Sequence, residues 1–254
     1  MTDLPLEVAD DDARALQYGG LDASLRPLVA EVGGLVARGV AEWPDSMLGS
    51  LTGFGVRPVS ARGLDTALGL LARVGITAPI VTVVEGCEVT GLLSERGFAP
   101  ATSLVRLVRD LADVGAPAES AFRVEEVGPS SSAAVVAVCR GGFGPSMDPA
   151  WWRAGLGRPG WTQVLAYDGD TPVATGALAV SKGVGWLGGT TTVPGARGRG
   201  AHRALLELRL ALAAQAGASR IGVLAADGGA SMRNLVRAGF TVSHGVQQWR
   251  RPVV

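Results

Sequence analysis

The chain has 254 residues, 47% of them hydrophobic, and its 23 Lys+Arg are balanced by 23 Asp+Glu. That is ample apolar material for one large domain or two ordinary ones, and zero net charge argues against a nucleic-acid partner held by bulk electrostatics. The acidic start has no apolar h-region, no run of about 18 uncharged apolar residues occurs, and Cys87 and Cys139 stand apart with only two histidines in the chain, so neither signal peptide, membrane span, disulfide framework nor metal site is expected.

Residues 1–20 read as loosely docked. From Leu21 to Val40, the residues Leu25, Leu28, Val29, Val32, Leu35 and Val36 recur at three- and four-residue spacing and predict an amphipathic helix, ended by Trp43-Pro44-Asp45. Residues 50–59 read as a strand, Leu64–Val74 as a helix, Pro79–Val84 as a buried strand, Cys87–Arg96 as a short helix and Ser103–Val108 as a strand. Asp110–Ser120 loses periodicity around Gly115 and Pro117 and reads as a linker. Phe122–Val127 then alternates as a strand. Ser130-Ser131-Ser132 suits a helix cap, and Asp148 before Pro149 starts a second short helix. Thr162–Tyr167, Pro172–Val180 and Val184–Val193 form an antiparallel meander, with turns at Asp168-Gly169-Asp170 and Lys182-Gly183.

Setting Phe98 against Phe240, 142 positions apart, aligns Gly75 with Gly217, Gly86 with Gly228 and Gly97 with Gly239 without a gap, and Glu85 meets Asp227. Helix, strand, helix, Gly-Phe and strand thus occur twice, which predicts two related halves, 1–115 and 120–254. Chance coincidence in a chain with 37 glycines is the alternative.

The stretch Thr190-Thr191-Thr192-Val193-Pro194-Gly195-Ala196-Arg197-Gly198-Arg199-Gly200-Ala201-His202 runs into leucines at helical spacing (Leu205, Leu208, Leu212) and reads as strand, loop and helix start. Unpaired amides at a helix N-terminus, glycines that let an oxyanion approach, and two arginines favour a multiply charged anion such as a diphosphate. In the first half, Pro58 stands where Gly200 does and removes a donor, so that half is expected to pack and to shape the substrate site. Two other readings stay open: a dinucleotide fingerprint, opposed by the antiparallel meander that leads into the loop, and a plain solvent loop.

Thr192-Val193-Pro194-x-x-Arg197-Gly198-Arg199-Gly200 resembles the acyl-CoA signature of the GCN5-related N-acetyltransferases, with His202 where the family's motif ends in a small residue. Ser231-x-Arg233-Asn234-x-x-Arg237-x-Gly239-Phe240 is similar to the family's second cofactor segment. The resemblance covers roughly Ala121 to Arg251. It implies an α/β (α+β) fold of tandem halves on a mixed, mostly antiparallel sheet flanked by helices, the first half degenerate. It also implies acetyl-CoA as acyl donor and a small-molecule amine as acceptor. Thr191, Thr192 and Val193 would pair with the pantetheine arm, and Arg197, Gly198, Arg199, Gly200, Ala201 and His202 would cradle the diphosphate. Ser231, Asn234 and Arg237 would complete the cofactor site. The chain is expected to be cytoplasmic, with homodimerisation open.

Direct attack by an amine needs a proton removed, because an alkyl ammonium of pKa ~10.4 is neutral to only about one part in 2,500 at pH 7, a cost near 4.6 kcal/mol. Val184–Val193 contains no Asp or Glu where many family members place a base. Leu235 stands where many have a tyrosine acid. The remaining catalytic candidates are His244, by its ordinary pKa, and Ser231, by its hydroxyl. A protein that binds acyl-CoA without turnover, as a sensor or scaffold, is the alternative. Phe143, Trp151 and Trp152 are candidates for the acceptor wall.

Overall fold

The computed structural model describes residues 4–252; the first three and last two, which the two predicted halves include, lie outside the described residues. The first half runs α1 (Leu4–Tyr18), β1 (Pro27–Val32), β2 (Leu35–Val40), β3 (Ser50–Phe54), α2 (Ala61–Arg73), β4 (Ile80–Val84), α3 (Thr90–Ser94) and β5 (Ala99–Asp110). The second runs β6 (Arg123–Val127), α4 (Ser132–Phe143), α5 (Pro149–Arg153), β7 (Trp161–Asp168), β8 (Thr171–Ser181), β9 (Val184–Thr192), α6 (Ala201–Gln215), β10 (Arg220–Ala226), α7 (Ala230–Arg237) and β11 (Thr241–Arg250). All eleven strands form one sheet in the order β1-β2-β3-β4-β11-β5-β10-β9-β8-β7-β6. Among the described strands, only the pairs β3–β4 and β9–β10 are parallel.

The last strand of each half pairs inside the other: β11 lies between β4 and β5, and β5 between β11 and β10. The exchange is symmetric at the offset of 142 positions. Glu85 donates its N–H to Gly245 O (2.9 Å), and Asp227 donates to Ser103 O (3.2 Å). Neither half can therefore complete its sheet alone. α1, α4 and α5 cover one face and α2, α3, α6 and α7 the other, as strand alternation requires. Arg106 of β5 points to α1, for example, while its neighbour Leu107 joins the core beneath α6 and α7.

The predicted helix over 21–40 is a β-hairpin, β1–β2, paired over its full length. Gly33 (φ +58°) and Gly34 (φ +84°) form the two-residue turn that such hairpins use, and a Cβ on Gly34 would lie 2.2 Å from Pro58 O. Every residue of β2 is buried, Arg38 included, so the strand lacks the apolar/polar alternation that marks a half-buried strand in sequence. The expectation that residues 1–20 are loosely docked is overturned for the described part, residues 4–20. Within α1, Leu6, Ala9, Ala13 and Tyr18 are buried. Glu7 accepts two bonds from Arg106 (2.8 and 3.0 Å), and Asp11 pairs with Arg38 (3.0 Å). Asp10 accepts from the Trp186 indole (2.5 Å), and Tyr18 Oη donates to Leu48 O (2.6 Å). The acids of this segment are anchors, and their partners come from both halves. Asp148 caps α5 from its N-cap position as expected, accepting from Ala150 N, whereas Ser131 makes no side-chain cap to α4.

Candidate active site

The site begins where the sheet splits. β9 and β10 pair only from Val184–Leu187 against Arg220–Val223, and beyond that point they part. An irregularity in β9 sets this up: Ala177 faces Gly188 and Thr175 faces Thr191, so β9 carries an extra residue across from β8. Gly189 takes the left-handed φ of +56° there. The backbone of β9 from Gly188 onward thus has no strand on its β10 side.

β9 then enters a single turn, Pro194–Ala196, and a loop that delivers α6. Gly198 (φ +75°) and Gly200 (φ +99°) both hold left-handed backbone, which glycine adopts without strain. Main-chain N–H groups from Gly198 through Arg203 donate to no main-chain acceptor among the described residues; the next bond in the chain is Ala204 N to Gly200 O. They face outward at the positive end of a 15-residue helix, the arrangement that suits a bound anion.

A cavity of about 800 Å³ opens from this loop. Thr190, Thr191 and Thr192 form one wall, and Ser231, Asn234 and Arg237 of α7 form the other. Arg197, Arg203 and Arg237 stand around it, together with Arg109, which reaches in from β5 of the first half and donates to Ala238 O (2.7 Å). An inner cavity of about 220 Å³ shares Thr190, His202, Leu206 and Ser231 with the outer one and runs through the split to Phe143 of α4.

Most of the sequence-predicted cofactor residues converge here: Thr191, Thr192, Arg197, Gly198, Gly200, Ala201, His202, Ser231, Asn234 and Arg237 all line the outer cavity. Two do not. Val193 packs against the α4 side of the core and bonds Val173 O through its N–H. The Arg199 side chain turns away to pair with Asp168 (2.6 Å) and lie over Phe122, leaving only its N–H at the loop. The Arg197 guanidinium donates to Thr192 O (3.1 Å) and Gly142 O (3.2 Å), which ties the loop to α4. Arg109 carries no sequence signal, since it lies in no motif and arrives only through strand exchange, whereas Arg203 directly follows the loop motif and ends the dinucleotide-fingerprint reading without belonging to the acyl-CoA signature.

His244 lies two strands away from the split. It pairs with Arg106 across β5–β11, and its Nε2 meets Glu7 Oε1 (3.0 Å) while Nδ1 meets Ser243 Oγ (3.0 Å). Burial works against the Glu7 carboxylate, but His244 and Arg106 outweigh it and hold its pKa below the usual range. His244 is therefore part of a sealed polar network and not of the cleft. Ser231 does face both cavities. His202 does too, but burial, with Arg209 nearby, pulls its pKa to about 4, so its ring is neutral at pH 7 and a weak base. Leu235 is buried against the inner cavity. Of the aromatic candidates, Phe143 stacks on Trp152 (centroids 5.2 Å apart), whereas Trp151 packs edge-on against Tyr18 in the core. The thiol of Cys139 is pushed up to about 12 by burial.

The first half lacks this machinery. β3 and β4 stay paired as far as Phe54 and Val83, and the loop after β3 satisfies itself, with the Val56 and Arg57 N–H groups on Gly53 O and Arg57 paired to Glu31.

A mixed sheet split between two parallel strands, with a glycine-rich loop and a helix at the split, is a fold this chain shares with solved GCN5-related N-acetyltransferases. A GCN5-related N-acetyltransferase from Kribbella flavida is similar over 98% of this chain and 96% of its own, with a TM-score of 0.68 at 19% identity. A conserved protein from Staphylococcus epidermidis is similar over 90% of this chain and 96% of its own (TM-score 0.63, 10% identity). For a GCN5-related N-acetyltransferase from Sphaerobacter thermophilus the shares are 87% and 82% (TM-score 0.61, 18% identity). At these identities the likeness is one of fold. No family model matches the chain, and no curated protein matches it in sequence.

Proposed function

We propose that the protein is an acyltransferase that moves an acetyl or other short acyl group from its CoA thioester to the amine of a small molecule. The observation that carries this reading is the continuity of the cleft. Unpartnered amides and arginines at one end suit the phosphates of CoA, and the split strand edge at the other suits an extended arm that ends in a thioester. The amine nitrogen attacks the thioester carbonyl, the C–S bond breaks, and sulfur leaves as thiolate. The acceptor approaches from the α4 face. There Phe143 and Trp152 stack, and a hollow of about 330 Å³ lies between Trp43 and Leu48 of the first half and Pro145–Pro149. The earlier half thus shapes the acceptor side.

Proton removal falls to water or to an acceptor that is already neutral. Among the described residues the one carboxylate lining the outer cavity, Glu207, is tied to Arg203 (2.7 Å), and His202 is too acidic to hold a proton at neutral pH. That same lack of an acid or base at the split favours a second reading, an acyl-CoA-binding sensor without turnover. No helix among the described residues is long and apolar enough to cross a membrane. The test is release of free thiol from acetyl-CoA with a panel of small amines, in the wild type and in Gly200→Pro. Thiol released by the wild type and lost in the variant supports transfer. Binding without release for any amine selects the sensor, and no binding at all sinks both.

A further inference from the structure

Among the described residues three arginine side chains are sealed inside the protein, and two of them meet a described carboxylate. Arg38 faces Asp11 at 3.0 Å; Arg106 faces Glu7 at 2.8 Å and Asp10 at 3.5 Å. Arg209, in the middle of α6 and 1% exposed, has neutral partners alone. Its Nε donates to Leu205 O (3.1 Å) and its Nη1 to Ala177 O (3.2 Å) and Thr190 Oγ1 (2.8 Å). Nη2 has no acceptor among the described residues, yet it is not among the polar atoms closed off from solvent. The guanidinium lies against β8 where Gly176 leaves space; a Cβ there would be 2.6 Å from Nη1.

This group lines the inner cavity, whose wall contains no Asp or Glu among the described residues and whose histidine, His202, is neutral. Burial lowers Arg209 to about 9, so it remains a cation at pH 7. A buried charge without a counter-charge is costly, and an anion entering the cavity relieves that cost. An alkylammonium would instead be repelled from an acid-free cavity that holds a cation, so the amine comes from the other face and the acyl chain takes this space.

We propose that Arg209 recognises a terminal carboxylate on the acyl group, so that the preferred donor is the CoA monothioester of a short dicarboxylic acid, of succinyl or malonyl type. The assignment rests on the CoA-dependent reading above. The reaction keeps its balance: the amine N–C bond forms, the C–S bond breaks, thiolate leaves, and the distal carboxylate passes through unchanged.

The experiment is calorimetric titration of the wild type with succinyl-CoA, butyryl-CoA and acetyl-CoA, the first two being of equal chain length with a charged and a neutral end. A charge-assisted pair in this setting is expected to favour succinyl-CoA over butyryl-CoA by about tenfold or more. In Arg209→Met that ratio falls to about one. Equal or tighter binding of butyryl-CoA by the wild type overturns the proposal while leaving the acyltransferase reading intact, and failure of all three thioesters to bind overturns both. Should Arg209→Met weaken the two four-carbon thioesters equally, the arginine only supports the β9 irregularity and the proposal falls. If the variant does not fold by circular dichroism, the wild-type ratio decides.

Discussion

Gly200→Ala tests the anion loop with a single methyl group. Gly200 sits at φ +99°, ψ −3°, and no heavy atom lies within 4 Å of the position its Cβ would take, so the substitution meets no clash and acts through the backbone alone. Holding an L-residue in left-handed backbone costs about 1–2 kcal/mol. The loop is exposed, so it relieves that cost by relaxing, and relaxation moves the unpartnered N–H groups between Gly198 and Arg203. The expected result is acetyl-CoA binding weakened by about 5- to 30-fold, with little loss of stability. Titration calorimetry reads the first and urea unfolding the second. Gly69→Ala is the matched control, since Gly69 lies inside α2 with open space around its Cβ and an ordinary helical φ. There the same methyl group is expected to raise stability by about 0.5–1 kcal/mol and leave binding alone. A Gly200→Ala protein that binds acetyl-CoA as tightly as wild type with an unchanged urea midpoint refutes the role given to this loop.

Glu7→Ala leaves Arg106 buried with only the more distant Asp10, so urea unfolding is expected to show a loss of about 3–5 kcal/mol; a loss under 1 kcal/mol would mean the network is incidental. Glu7 and Asp10 both have folded pKa values below the ordinary carboxylate range: burial opposes this, but His244 and Arg106 around Glu7, and Arg14 and Arg106 around Asp10, outweigh it. Their contribution is therefore complete above about pH 4.5 and lost as pH falls through the lowered values, and unfolding followed below pH 4.5 should show an acid limb that Glu7→Gln flattens. His202 adds a separate window. Its folded value of about 4 lies under its ordinary 6.5, so the unfolded chain takes up the proton first and stability declines as pH falls from 6.5 towards 4. His202→Asn should remove that slope, and an unchanged slope would show that the ring is not held neutral. Native protein treated with a thiol reagent is expected to react at the half-buried Cys87 well before Cys139, whose thiol is buried and pushed up to about 12; mass mapping showing equal rates contradicts that burial.

The sealed arginines separate two kinds of residue that look alike in the chain. Arg38 and Arg106 sit in strands β2 and β5 with nothing nearby in sequence to announce burial, and the acids that neutralise them come from α1, up to about a hundred positions away. Read along the chain, the acidic run Asp10-Asp11-Asp12 belongs to a loosely docked segment; in the folded protein it is the clamp between the halves. The hairpin over 27–40 was misread for a related reason. Burial on both faces of β2 is a property of its neighbours, and only the glycine pair at 33–34 marked the turn locally. His244 had the right chemistry for a base, but its strand placed it against Glu7, outside the cleft.

What could be read without the folded structure is what short-range chemistry controls. The two glycines of the anion loop show by their own backbone requirement, the helix behind them by its leucine spacing, the Asp148-Pro149 start by its capping, and the doubled pattern by its even offset. These follow from constraints that act within a few residues, or from a periodicity carried in the chain itself. Tertiary structure alone decided that the halves exchange their final strands, that Arg109 crosses into the other half's cavity, and that Arg209 is buried without a counter-charge. Each of those depends on which surfaces meet after long loops close, and hydrogen-bond pairing and desolvation act on neighbours in space whatever their distance along the chain.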